Sequence, residues 1–76
     1  MALADNLRRL RGAAYLSQAE LAEQAGVSRA TIARAELGDY VPQRRTVRAL
    51  AKALGVPPSA LATPDELIQR HVKAVA

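Results

Sequence analysis

The sequence predicts an all-α fold, a compact five-helix domain over residues 1–61 followed by a helical extension over residues 62–76. Three observations predict it. Half of the 76 residues are apolar, mostly alanine and leucine, with two tyrosines as the only aromatics. Apolar residues recur at i, i+3, i+4 and i+7, which lines one face of a helix, rather than alternating as a half-buried strand requires. Helix-start signatures, a serine or threonine followed three residues later by glutamate, and helix-stopping glycines divide the chain into short segments.

The first helix is expected over residues 1–14, with Leu3, Leu7, Leu10 and Ala14 at i, i+4, i+7 and i+11. Arg8 and Arg9 lie off that stripe and are expected to be solvated. Two endings fit the residues: Gly12 stops the helix early, or Tyr15 takes a left-handed conformation at a strain of roughly 1 kcal/mol. Ser17 and Glu20 then have capping-box spacing, so a second helix starts at Gln18. Gly26 supplies the positive φ of a tight inter-helix turn, Val27 plugs the gap beside it, and Ser28 caps a third helix.

On this third helix Ile32 and Ala35, with Glu36 beside them, occupy one side. Arg29, Ala30, Ala33, Arg34 and Leu37 share an arc of roughly 140° opposite. Gly38 ends the helix, and Asp39-Tyr40-Val41-Pro42 reads as a loop because proline restricts the residue before it. A fourth helix follows from about Gln43 to Leu54, with Val47, Leu50, Ala51 and Leu54 along one face and Gly55 as its stop. Arg44 and Arg45 sit in its first turn, where the macrodipole disfavours cations, and no acid nearby in sequence compensates. An external anion would resolve that mismatch, since helix N–H groups and arginines together cradle a phosphate. Pro57-Pro58-Ser59-Ala60-Leu61 reads as a short fifth helix. Thr63-Pro64-Asp65-Glu66 is a second capping box, with proline at the first helical position, opening a terminal helix to about Val75. Leu67, Ile68, His71, Val72 and Val75 lie along one side of it.

Composition bounds the function. Seventy-six residues allow one small domain, burying only about 60% of the surface of its unfolded chain, so association with a second copy would help. There is no cysteine, and the single histidine, His71, cannot form a zinc site by itself. No metal or other cofactor is expected. No glycine-rich phosphate loop is present and the acids are mostly employed at helix caps, which argues against an enzyme and leaves no catalytic residues to name. The chain lacks an 18-residue apolar run and a signal-peptide pattern, so no membrane contact is expected and the predicted location is the cytoplasm. The net charge of +4 favours a polyanionic partner. Arginine far outnumbers lysine, but GC-rich coding gives the same bias, so position rather than count carries the argument.

The spacing of Leu16-Ser17-Gln18, Glu20-Leu21-Ala22, Ala25-Gly26-Val27-Ser28, Thr31-Ile32, Arg34, Glu36 and Gly38, continued by Pro42, Leu50-Ala51 and Ala53-Leu54-Gly55-Val56, resembles the Cro/phage-repressor-like (XRE-type) helix-turn-helix DNA-binding family. The resemblance covers roughly residues 3–61. It implies a prokaryotic or phage-encoded regulator, nucleoid-associated when bound, whose third helix lies in the major groove of double-stranded DNA. Arg29, Ala30, Ala33 and Arg34 would face the bases. Arginine binds guanine O6 and N7 bidentately, whereas an alanine offers only a methyl contact to thymine. Gln18, Ser28, Thr31, Tyr40, Arg44 and Arg45 are placed to bind phosphates. Gln18 and Ser28 each also have a purely structural use, Ser28 as a cap; Thr31 reaches either the DNA backbone or the core, Tyr40 has an alternative packing place on Pro42, and Arg44 and Arg45 are otherwise ordinary surface charges. The family commonly pairs an arginine at the end of helix 1 with a glutamate near the end of the recognition helix, which implies a structural ion pair between Arg11 and Glu36. It usually has an apolar residue where Arg44 stands, so this chain departs from the pattern there.

The stripe of Leu67, Ile68, Val72 and Val75 either folds back on its own domain or meets its symmetry mate in a homodimer. A domain this small that reads two half-sites needs a self-complementary patch, and the expected protein is a small dimeric repressor on a palindromic operator. The competing expectation is an antitoxin-like interaction module that neutralises a toxin through its terminal helix and autoregulates its operon.

Overall fold

The hydrophobic periodicity folds into four α-helices and one turn of 3-10 helix in the computed structural model, which describes residues 2–62. They are α1 (Ala2–Ala13), α2 (Gln18–Ala25), α3 (Arg29–Leu37), α4 (Arg44–Leu54) and the 3-10 turn Pro58–Ala60. The fold of the described residues is all-α. The expected terminal helix, with its stripe of Leu67, Ile68, His71, Val72 and Val75, lies outside the described residues. No helix among the described residues is long and apolar enough to cross a membrane.

Local signals set the helix starts. The Ser17 hydroxyl accepts from the Glu20 N–H at 3.0 Å while the Ser17 N–H donates to the Glu20 carboxylate at 2.8 Å, satisfying two of the donors that a helix N-terminus leaves free. The Ser28 hydroxyl likewise accepts from the Thr31 N–H at 3.1 Å. At α4 the sequence expectation is off by one: Gln43 is the cap rather than the first helical residue, and its side chain makes no capping bond.

Three helices end in the same way. Tyr15, Gly26 and Gly55 each have positive φ, and the apolar residue after each donates its N–H to the carbonyl five positions back. Those bonds are Leu16 to Arg11 at 3.1 Å, Val27 to Ala22 at 3.0 Å and Val56 to Ala51 at 3.0 Å. Each reversal sends its apolar residue back onto the core, where Leu16, Val27 and Val56 are partly buried. Of the two endings that the sequence leaves open for α1, the structure adopts the second: Gly12 stays helical and Tyr15 takes a φ of 57°. Ala14 therefore does not extend the helical stripe; it lies in the turn and is exposed.

Leu3 and Leu7 from α1, Leu21 and Ala22 from α2, Ile32 and Ala35 from α3, and Val47, Leu50 and Ala51 from α4 form one core. Leu61 and Ala62 close it. Each fully buried leucine or isoleucine contributes about 1.5–3 kcal/mol relative to exposure. Helix α3 packs on both α1 and α2, and α2 packs on α4, so α3 is braced on its inner side and open on its outer one. The Asn6 amide donates to the Leu61 carbonyl at 3.0 Å and thereby ties the first helix to residues 55 positions away.

Candidate nucleic-acid interface

The inner side of α3 carries Ile32, Ala35 and Glu36, all buried. Glu36 is a carboxylate 5% exposed, which would be costly unpaired. It is enclosed by donors from two other helices. Arg11 of α1 donates through Nε at 2.5 Å and Nη2 at 3.0 Å, forming a bidentate ion pair, and Gln18 of α2 donates through Nε2 at 3.1 Å. The remaining Arg11 donor, Nη1, reaches the Leu16 carbonyl at 2.9 Å. Burial by itself pushes the Glu36 carboxyl up, but the hydrogen bonds from Arg11 and Gln18 and the charges of Arg11 and Arg8 outweigh it and hold the group below the usual glutamate range. Its hydrogen bond to the same carboxylate pushes Arg11 up, against the opposing effect of burial.

Arg8 is exposed, as expected of a residue off the stripe, and it also has partners: one guanidinium nitrogen donates to the Glu36 carbonyl, near the C-terminal end of α3, and another pairs with Asp5. Helix ends leave such carbonyls without an internal partner and favour a cation there. The pair with Asp5 is local, at i, i+3, whereas the Glu36 carbonyl lies 28 positions away. Arg9 also has a partner, Asn6 Oδ1, at 3.3 Å.

The outer side of α3 is different in kind. Arg29, Ala30 and Arg34 are exposed, and Leu37 is 73% exposed. Ala33 departs from the expectation of full presentation and is half-buried. Among the described residues neither Arg29 nor Arg34 has a hydrogen-bond or ion-pair partner. Arg34 instead lies over the ring of Tyr40, 5.2 Å from its centroid. Tyr40 is half-buried and packs on the core cluster.

The other sequence-predicted contact residues surround this side unequally. Ser28 and Thr31 are joined hydroxyl to hydroxyl at 2.8 Å, which occupies one of their two O–H donors and leaves the other available. Gln18 has given one amide N–H to Glu36. Arg44 and Arg45 are exposed at the start of α4, with no acid in that first turn; Arg45 Nε donates to Gln43 Oε1 at 3.3 Å. Arg44 is exposed, while Pro42 and Val47, on either side of it in sequence, are fully buried. The arrangement can therefore present unpaired guanidinium groups beside small side chains on a braced helix. Among the described residues no group of three or more histidines, cysteines or carboxylates comes together as a metal site would require.

A helix-turn-helix domain family matches the chain over residues 2–63. The immunity repressor protein of Bacillus phage phi105 is 35% identical over 71 residues, which cover 93% of this chain and 49% of the repressor. The chain thus spans about half the length of that relative. Among solved structures, the restriction-modification controller protein C.AhdI from Aeromonas hydrophila superposes with a TM-score of 0.77 at 33% identity, covering 80% of this chain and 92% of that one. The hypothetical transcription factor NHTF from Neisseria superposes with a TM-score of 0.74 at 32% identity, covering 90% of this chain and 79% of that one.

Proposed function

The chain belongs to the helix-turn-helix domain family, and from that premise we propose that it is a sequence-specific, double-stranded-DNA-binding transcriptional regulator of the repressor or controller kind. The observation that carries this reading is the outer side of α3, where Arg29 and Arg34 are exposed and unpaired among the described residues and flank small alanines. Small side chains let a helix axis approach a groove closely, and the planar guanidinium fork matches the two acceptors of a guanine edge. Arg34 and Arg29 read G·C pairs, each discriminating by about 1–3 kcal/mol. Ala30 and Ala33 contact thymine methyl groups. Positioning falls to phosphate contacts, which fix register without reading sequence. Arg44 and Arg45 provide them from the start of α4, the Ser28 and Thr31 hydroxyl pair from the start of α3, and the free amide hydrogen of Gln18 from the start of α2.

The reading extends to a homodimer, with residues 62–76 as the dimerisation or docking element and Leu67, Ile68, Val72 and Val75 as its apolar stripe. A two-fold dimer reads a palindromic operator whose half-sites lie about one helical turn apart. Occupancy of that operator, set by the protein's own concentration in the cytoplasm, is the regulatory event. The antitoxin alternative rests on the same stripe, and a toxin partner finds no support among the relatives named above.

Selection of bound sequences from a random duplex pool tests the whole proposal. The expected outcome is an enriched two-fold site with a G·C pair at a fixed place in each half. A pool that stays random after repeated rounds sinks the proposal; an enriched but asymmetric site removes the dimer from it.

A further inference from the structure

We propose that Tyr40 is a positioning residue for base recognition, acting through Arg34 rather than through its own hydroxyl on a phosphate. The inference deepens the major-groove reading and rests on it. Gly38 ends α3 with a φ of 84° and turns the chain back along the helix, which brings Tyr40, two residues later, beneath the side chain of Arg34. Tyr40 itself is half-buried and packs against the core cluster. The Arg34 guanidinium carbon lies over this ring at 5.2 Å from the centroid. Among the described residues Arg29, on the same outer arc, makes no such ring contact.

The geometry suits a reader. The guanidinium carbon of Arg34 lies over the ring while, among the described residues, none of its N–H groups has a hydrogen-bond or ion-pair partner, so the ring contact leaves donors for a bidentate contact to guanine. A free arginine side chain must give up several rotatable bonds when it binds; one already resting on a ring has given up part of that freedom before DNA arrives. The benefit falls on the base pair that Arg34 reads and on no other. A tyrosine hydroxyl on a phosphate would instead strengthen binding to every sequence alike.

The test uses the full chain, the duplex it selects and all single-base-pair variants of that duplex, with affinities measured by fluorescence anisotropy. Arg34→Ala identifies the base pair whose preference it abolishes. Tyr40→Leu is expected to reduce the preference at that pair by about threefold to tenfold, to leave preferences elsewhere unchanged, and to add nothing in the Arg34→Ala background. Tyr40→Phe, which retains the ring and loses the hydroxyl, is expected to bind like the original protein. A uniform loss of affinity in Tyr40→Phe, an unchanged preference in Tyr40→Leu, or a Tyr40→Leu effect that persists without Arg34 overturns the proposal. One measurement is independent of whether Tyr40→Leu folds. In the unsubstituted protein without DNA, the Arg34 Nε–H should give a higher heteronuclear NOE than that of Arg29, and equal values overturn the proposal too. Failure of the protein to select any duplex would instead be failure of the DNA-binding reading itself, with the NOE comparison still deciding whether the ring holds the side chain.

Discussion

The two sides of α3 confront the same chemical group in opposite circumstances. On the inner side, the guanidinium of Arg11 gives three of its donors to the chain, two to the buried Glu36 carboxylate and one to the Leu16 carbonyl. On the outer side Arg29 and Arg34 are exposed and, among the described residues, give no donor to anything. Among the described residues, what separates them is a carboxylate in ion-pair contact with Arg11 and none in such contact with Arg29 or Arg34. A basic composition is therefore a poor guide to binding until the internal pairs have been subtracted. Arg11 and Arg8 belong to the architecture that braces the helix, and the outer arginines are what the braced helix presents.

That contrast can be broken most severely at Arg11. Arg11→Ala leaves a buried carboxylate with only Gln18 as a side-chain donor and should destabilise the domain by about 3 kcal/mol in urea or thermal unfolding. Arg29→Ala, on the outer side, should stay within about 0.5 kcal/mol. Similar losses for both would erase the distinction between the two sides. Acid should act on the inner side in the same sense. Glu36 has its folded-state pKa depressed, so its contribution to stability is fully present above the ordinary glutamate value of about 4.3 and is lost as pH falls through the lower folded value. The melting temperature should therefore fall more steeply below about pH 4.3 in the original protein than in Glu36→Gln; parallel curves would mean that the carboxylate is not stabilised by its partners.

The outer side is sharpened by Arg34→Ala. This substitution should remove about 1–3 kcal/mol of discrimination at one base pair while leaving the unfolding curve in place. A mutant that melts early as well would place Arg34 among the bracing residues. Tyr15→Gly addresses the turn whose next carbonyl Arg11 holds. Tyr15 is 93% exposed, so its side chain returns little packing for its left-handed backbone. Glycine should raise stability by about 0.5 kcal/mol, net of its looser unfolded chain. The smallest effect belongs to Arg44→Ala, which should weaken binding to all duplexes alike and reduce the salt-dependence slope by about one unit. Loss at a single base pair would move Arg44 from positioning to readout.

Much of this was legible in the residues because it depends on neighbours three to five positions apart. The capping box of Ser17 and Glu20, the reversals at Gly26 and Gly55, and the burial of Ile32 and Ala35 opposite Arg29 and Arg34 all follow from helical periodicity and backbone sterics. So does the placing of Glu36 on the inner face, although its partner at Arg11 came only through the family resemblance. The two endings available to α1 could not be separated in the same way, since each is locally acceptable. In the folded chain the Tyr15 turn is accompanied by the packing of Leu16 on the core and by the hydrogen bond from Arg11 to the Leu16 carbonyl. The grip of Arg8 on the Glu36 carbonyl and of Asn6 on that of Leu61 spans 28 and 55 positions, and nothing in the spacing indicates it.

By itself the chain determined its helices, their caps and the two-sided character of α3, because those are set by short-range sterics, hydrogen bonds within a turn and the angular repeat of the helix. Only the tertiary structure decided which arginines are consumed and which remain available. That outcome depends on the distance between a guanidinium and a carboxylate or ring on another segment, and such distances exist only once the helices have packed.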